Sequence, residues 1–259
     1  MKAKEHYEKH LSNFYSWMLG DIQLKSIEFQ NFLKSHEIEP KNTKTAIDLG
    51  AGNGIQSIAL KELGYRVTAI DFNRQLLDEL KSNPNAKGVN TKLDDITNVS
   101  QFAYLKPELI TCCGDTITHL DSKNQIVKLI KDVSRILENK GYLILTFRDY
   151  SKELDDKLRF IPVKSSSNRI LTCILEYGIE TIKVTDLLYE KINEEWSQKV
   201  SSYKKVRLYP NVVTQILKEN RMEVIFNKPI NLMQTVIAKK SELKNTCKHP
   251  GAKQIVTCY

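Results

Sequence analysis

Glycine and proline are scarce in this chain, at 10 and 7 of 259 residues, and cysteine is limited to five positions. Cys112, Cys113, Cys173, Cys247 and Cys258 form no C-x-x-C pair and are odd in number, which excludes a disulfide framework and fits reduced thiols in a cytosol. Cys247, His249 and Cys258 do not complete a four-ligand zinc set, so no metal is expected. No stretch approaches about 18 uncharged apolar residues, and Met1 to His10 is charged throughout without an apolar core of the signal-peptide kind. The chain is therefore expected to be cytoplasmic and without a membrane partner. A clustered basic face is missing too. The net charge of +8 is spread, with a large share at the C-terminal end in Lys239, Lys240, Lys244, Lys248 and Lys253, so a nucleic-acid partner is not expected.

What is present is an ordinary globular composition, 41% hydrophobic and 27% charged, long enough for one large domain or one domain with a small insertion. Between Tyr7 and Lys34 apolar residues recur at helical spacing with a break at Gly20-Asp21, which predicts two helices. After the turn at Pro40 to Thr43, the run Thr45-Ala46-Ile47-Asp48-Leu49 reads as a buried parallel strand. Helix and strand then alternate. A helix is expected from Ile55 to Leu63, a strand from Arg66 to Asp71, a helix from Gln75 to Lys81, and a weak strand closing at Leu93 to Ile96. Leu109 to Cys113, the helix Lys123 to Asn139 and Tyr142 to Phe147 follow. Repeated βα units imply a parallel sheet with helices on both faces. Past Asp149 the period changes to two, and Ile170 to Tyr177, Thr181 to Tyr189 and Trp196 to Leu208 predict a three-stranded antiparallel insertion. A helix from Asn211 to Glu219 and a strand pair, Met222 to Phe226 with Gln234 to Ala238, close the fold. The polar residues 241–259 read as a mobile tail.

The chemistry concentrates at strand ends, where open α/β sheets bind ligands. Strand one runs from Asp48 into Gly50, Ala51, Gly52, Asn53 and Gly54 and then into a helix. Alternate glycines admit a close ligand because no Cβ intervenes. The dinucleotide fingerprint requires its third glycine where Ile55 stands, which disfavours a nicotinamide oxidoreductase. Asp71, about twenty residues on and followed by Phe72, is placed to accept from both hydroxyls of a ribose. Asp95 and Ile96 are candidates for an adenine amino group and ring, with Asp95 as a simple helix cap the alternative. Asp115 and His119, after strand four, are candidates to orient an acceptor or take its proton. His119 is equally readable as a structural histidine, and neither Cys112 nor Cys113 is expected to act as a nucleophile.

In order, Asp48 to Gly54, Asp71, Asp95-Ile96, Cys113-Gly114-Asp115 and Gly141 to Ile144 resemble the class I S-adenosylmethionine-dependent methyltransferases over Thr45 to Lys240. The resemblance implies a Rossmann-like α/β fold with a mostly parallel seven-stranded sheet, S-adenosylmethionine as cofactor, and Cys113 among the residues that hold it. Gly114 to Leu120, Thr146-Phe147-Arg148-Asp149-Tyr150 and Leu208-Tyr209-Pro210 are similar to small-molecule N-methyltransferases of the glycine and sarcosine kind. That similarity implies residues 1–40 as a helical lid carrying Tyr7, Tyr15 and Trp17, and a methyltransferase domain over 41–240 with the antiparallel insertion at 165–209. Tyr15, Trp17, Arg148, Tyr150 and Tyr209 would contact a small-molecule acceptor methylated on nitrogen or oxygen, in a monomer or homodimer. The rivals are a nucleic-acid or protein methyltransferase, which lacks a basic stripe or an Asn-Pro-Pro-aromatic loop here, and a domain that binds S-adenosylmethionine without catalysis.

Overall fold

A computed structural model describes residues 2–242. Cys247, His249 and Cys258, and nearly all of the 241–259 segment, lie outside the described residues.

Seven strands form the main sheet: β1 (Thr45–Leu49), β2 (Arg66–Asp71), β3 (Asn90–Leu93), β4 (Leu109–Cys112), β5 (Tyr142–Phe147), β10 (Met222–Ile230) and β11 (Met233–Lys240). Their order is β10-β11-β5-β4-β1-β2-β3. Only β11 runs against its neighbours. The chain moves outward from β1 through β2 to β3, then crosses back to β4 on the other side of β1. This reversal opens a crevice at the carboxyl ends of β1 and β4, the place such sheets offer a ligand.

Helices cover both faces, as the alternating pattern implied. Helix α6 (Lys123–Ile136) buries Ile126, Leu129, Ile130 and Val133 at helical spacing, and its first turn is capped by Ser122. With α7 (Pro210–Glu219) and the 3-10 segment Ile96–Leu105 it covers one face. Helices α3 (Ile22–Ser35), α4 (Ile55–Glu62) and α5 (Arg74–Ser82) cover the other. Helix α5 stops where Asn83, forced extended by Pro84, leaves the helical region. The Glu108 carboxylate, 7% exposed, accepts the backbone N–H groups of Lys41, Asn42 and Lys44 at 2.9, 2.7 and 3.1 Å. One acid thereby fixes the turn that delivers the chain into β1.

Three sequence expectations need correction. The insertion has four strands, β6 (Phe160–Ser165), β7 (Arg169–Tyr177), β8 (Thr181–Ile192) and β9 (Glu195–Val206), in that order. It begins ahead of residue 165; β6 is an edge strand containing Pro162 and a bulge between Pro162 and Lys164, which blurs its alternation. The N-terminal region is not two helices but α1 (Ala3–Lys9), a 3-10 turn at Leu11–Asn13, α2 (Tyr15–Leu19) and α3. Strand β3 ends at Leu93, because Asp94 and Asp95 turn their side chains onto nearby N–H groups.

Replacing Glu108 with Ala is expected to lower stability in urea denaturation by about 2–3 kcal/mol, since three backbone donors lose a charged acceptor. Glu108→Gln, which keeps one acceptor oxygen, should recover part of it.

Candidate functional site

At the crevice lies a cavity of about 230 Å³ whose walls include Gly50, Gly52, Asp71, Phe72, Asp95 and Ile96. Gly50 sits at φ +72°, and a Cβ there would lie 2.3 Å from the side chain of Thr116, which also lines the cavity. Gly54, at φ +96°, allows α4 to start against α5, where a Cβ would fall 2.1 Å from Leu80. The Asp71 carboxylate accepts Gly52 N–H on Oδ2 and Asn73 N–H on Oδ1, both at 2.8 Å. Burial pushes this carboxyl up from its ordinary range, and the backbone donors offset part of that. Each oxygen keeps a lone pair for a ligand hydroxyl. Asp95 combines both readings of it: Oδ1 caps the 3-10 segment at Thr97 N–H, 2.8 Å away, while the residue forms part of the cavity wall. A glycine cradle, an acid able to accept two hydroxyls and an apolar wall at Ile96 fit an adenosyl ligand.

Several predicted cofactor residues stand behind this wall instead of on it. The Asp48 carboxylate, fully buried, accepts from Ser57 Oγ at 2.6 Å and Thr111 Oγ1 at 2.8 Å, and burial pushes it up to about 6. It ties β1 to α4 and β4. Ala51 packs in the core with Ile58 and Leu77. Cys113 packs with Leu109 and Ile144 and does not line the cavity, and burial pushes its thiol up, away from the thiolate form. Asn53 turns away to donate from Nδ2 to Ser16 Oγ at 3.0 Å, which holds the N-terminal segment over the glycine loop. Ser16 also bonds Glu79, and Ser12 exchanges two bonds with Gln75 at 3.1 Å. Tyr15 thereby rests 3.3 Å from where a Cβ on Gly52 would be.

A second cavity, of about 200 Å³, opens on the far side of Tyr7, Tyr15 and His119, and these three residues line both. Arg148 and Tyr150 are in its wall. Trp17 and Tyr209 are not. The Trp17 ring is half-buried, with Lys164 Nζ at 5.5 Å and the Arg169 guanidinium at 5.8 Å, while Tyr209 stands at the start of α7 beside Lys123 and Arg207.

Asp115 is the electrostatic centre of this region. It adopts φ +72°, with Gly114 before it also at +72°, which folds its carboxylate back between β5 and the insertion. Oδ1 accepts Arg148 N–H at 2.9 Å; Oδ2 accepts Tyr150 Oη at 3.2 Å and Lys205 Nζ at 2.6 Å. Burial alone would raise the Asp115 carboxyl, but Lys205 and the surrounding donors hold it below its usual range. Burial alone would likewise lower the Lys205 ammonium, but Asp115 raises it. The His119 ring stacks on Tyr203 at 5.6 Å and meets Tyr7 edge-on at 5.5 Å. Its Nδ1 is buried without a hydrogen-bond partner among the described residues. Burial and the Lys205 charge bring the imidazole down to about 3, so it is neutral at ordinary pH.

The sequence reading missed Lys205, Tyr203, Asp186 and His6. Asp186, Tyr203 and Lys205 occupy inward positions of β8 and β9, and period-two parity alone would have put a lysine and an aspartate on a buried face. His6 Nε2 lies 3.0 Å from Asp186 Oδ2, and its ring stacks on Tyr203 at 4.1 Å.

Comparison with known proteins agrees with this geometry. Residues 46–141 match the family described as "Methyltransferase domain". A glycine/sarcosine N-methyltransferase of Aphanothece halophytica is 28% identical over 133 residues, 51% of this chain and 49% of that one. The chain thus spans about half the length of the curated relatives it matches. An S-adenosylmethionine-dependent methyltransferase from Clostridium acetobutylicum superposes with a TM-score of 0.70 at 16% identity, covering 92% of this chain and 97% of that one. An amino pentose methyltransferase from Micromonospora echinaspora, solved with S-adenosylmethionine bound, gives 0.70 at 10% identity over 86% and 92%.

Two measurements check the electrostatics. His119 is held near 3 when folded and titrates near 6.5 when unfolded. Its contribution to stability is complete above about pH 6.5 and falls by up to about 1.4 kcal/mol per pH unit below it. The difference in unfolding free energy between wild type and His119→Phe should follow that slope. Asp48 opposes it in both proteins, its raised carboxyl favouring the folded state as pH falls through about 6, and so cancels. Lys205→Met should cost about 3–5 kcal/mol by stranding the Asp115 carboxylate, and adding Asp115→Asn should restore much of that loss.

Proposed function

We propose, for a chain whose residues 46–141 match a methyltransferase domain and whose fold is shared with S-adenosylmethionine-dependent methyltransferases, class I membership and methyl transfer to the nitrogen of a small-molecule amine. The observation that carries this reading is the pair of cavities that meet at Tyr7, Tyr15 and His119. One has the glycine cradle and ribose acid of an adenosyl site; the other is walled by the N-terminal segment and the insertion.

When bound, S-adenosylmethionine supplies an electrophilic sulfonium methyl with a good leaving group. Gly50 and Gly52 let the backbone approach the ligand, Asp71 accepts from its ribose hydroxyls, and Asp95 with Ile96 borders its adenine. What the protein adds is chiefly alignment and exclusion of water. Tyr7 and Tyr15 cover the junction, with Tyr15 held on the glycine loop. Arg148 stands in the second cavity's wall beside Tyr150.

The choice of nitrogen over oxygen rests on the bases at hand. Asp115 is committed to Lys205, Tyr150 and a backbone N–H, and its carboxyl is held low. His119, down at about 3, accepts a hydrogen bond but is too weak a base for an alcohol. A neutral amine needs no such base. It arrives with its lone pair free, and an apolar cavity favours that neutral form over an ammonium.

Calorimetric titration with S-adenosylmethionine and S-adenosylhomocysteine is expected to show micromolar binding that Asp71→Ala weakens at least tenfold, with none for NADH. Absence of adenosyl binding would sink the reading. With an amine acceptor, kcat/KM should rise tenfold per pH unit up to the pKa of the acceptor itself and show no inflection near 6.5; an inflection there would make His119 the titrating base.

A further inference from the structure

The second cavity carries a statement about the acceptor that deepens the proposed activity and rests on it. Its lining is mostly hydrocarbon, drawn from three separate parts of the chain. Leu11, Met18 and Leu19 come from the N-terminal segment, Leu175 and Val184 from the inward face of the insertion, and Met233 from the β10–β11 hairpin. Among the charged groups of the wall the buried ones are paired, while Arg148 is exposed to solvent. Asp115 takes Lys205 at 2.6 Å, and Asp186 takes His6 at 3.0 Å and the Cys173 thiol at 2.9 Å. At roughly 30 Å³ per water, a space of about 200 Å³ corresponds to about seven waters, and most of them would face carbon. Beyond Arg148, His119 and the tyrosine hydroxyls, water or a very small polar amine would find few partners there.

The apolar character continues outward beside Met233. The preceding Leu232 is 87% exposed and sits at φ +64°, a turn position that glycine or asparagine ordinarily fills. It leaves an exposed aliphatic side chain one residue before Met233 of the cavity wall.

We infer that the acceptor is an amine bearing an apolar body of about seven to ten non-hydrogen atoms, an alkyl chain or a single aromatic ring, with the nitrogen directed toward His119. Glycine-sized amines leave the cavity largely unfilled. Recognition is by burial of hydrocarbon between the insertion and the N-terminal segment, and selectivity resides in Val184, Leu175 and Met18.

The test is calorimetric titration of n-propylamine, n-butylamine, n-hexylamine and 2-phenylethylamine at high pH, on the protein alone and on the protein saturated with S-adenosylhomocysteine. Each methylene should tighten Kd by about two- to fourfold until the cavity is full, with hexylamine and phenylethylamine at least about eightfold tighter than propylamine. Val184→Trp, which fills the cavity from the insertion, should bring hexylamine to within about threefold of propylamine while S-adenosylhomocysteine binds as before. Met18→Trp does the same from the N-terminal segment, in case the strand does not tolerate tryptophan. Equal affinity across the series, absence of binding by all four amines, or chain-length dependence that survives both substitutions would overturn the proposal. Loss of S-adenosylhomocysteine binding alone would defeat the cofactor assignment, and the series on the unloaded protein would still decide the acceptor question.

Discussion

The contact between Asp115 and Lys205 joins the two sheets of this protein. Asp115 stands just past the end of β4 and Lys205 near the end of β9, and neither side chain is more than 9% exposed. A carboxylate and an ammonium so deeply placed are tolerated only as a pair, because either one alone would carry the full cost of lost hydration. The requirement has a geometric consequence. The insertion cannot slide along the main sheet or lift from it without separating the two charges. Asp115 also receives Arg148 N–H and the Tyr150 hydroxyl, so the chain leaving β5 is fixed by the same group. The walls of the second cavity that come from β4, β5 and the insertion are therefore positioned by a single carboxylate.

The N-terminal segment depends on that arrangement. His6 is buried against Asp186 and Ser201 and stacks on Tyr203, and Tyr203 in turn stacks on His119. This column runs from α1 through β9 to the junction of the two cavities. On its other side the segment is fastened to α5 by Ser12 and Ser16. It thus bridges insertion and cofactor loop, and Tyr7 and Tyr15, the residues between the fastenings, are the ones that cover the junction.

How much of this was legible in the sequence depended on how local the signal was. The glycine loop, Asp71 and the β1-to-β5 alternation are local: each glycine or acid announces its role within a turn of its neighbours, and parallel strands carry the continuous apolar runs that burial on both faces demands. Asp48 and Cys113 show the limit. Their positions in the motif are right, yet whether a side chain at a strand end points to the ligand or to the core depends on its neighbours in three dimensions, here Ser57 and Thr111 for the one and Leu109 and Ile144 for the other. Trp17 and Tyr209 were read as pocket residues from pattern; Tyr209 precedes a proline that opens α7, a helix-start signal that accounts for it without a ligand. Lys205 was missed because its meaning lies in a partner 90 positions away.

The same buried pair also explains why the site has a histidine yet no strong base. Lys205 neutralises Asp115 and, from the same position, discourages protonation of His119. An imidazole kept neutral in an apolar wall can receive a hydrogen bond, but it cannot hold a proton against solvent. Such a wall also works against an ammonium, since transferring a charge into hydrocarbon without a free counter-charge is unfavourable. Asp115 and Asp186 are both engaged, so neither is free to compensate one. On the proposed reading the amine sheds its proton to water on entry, and what is left is a lone pair facing the junction of the cavities. Tight apolar burial and weak basicity are thus two results of one arrangement of charges, and an acceptor that stays charged would be rejected by both.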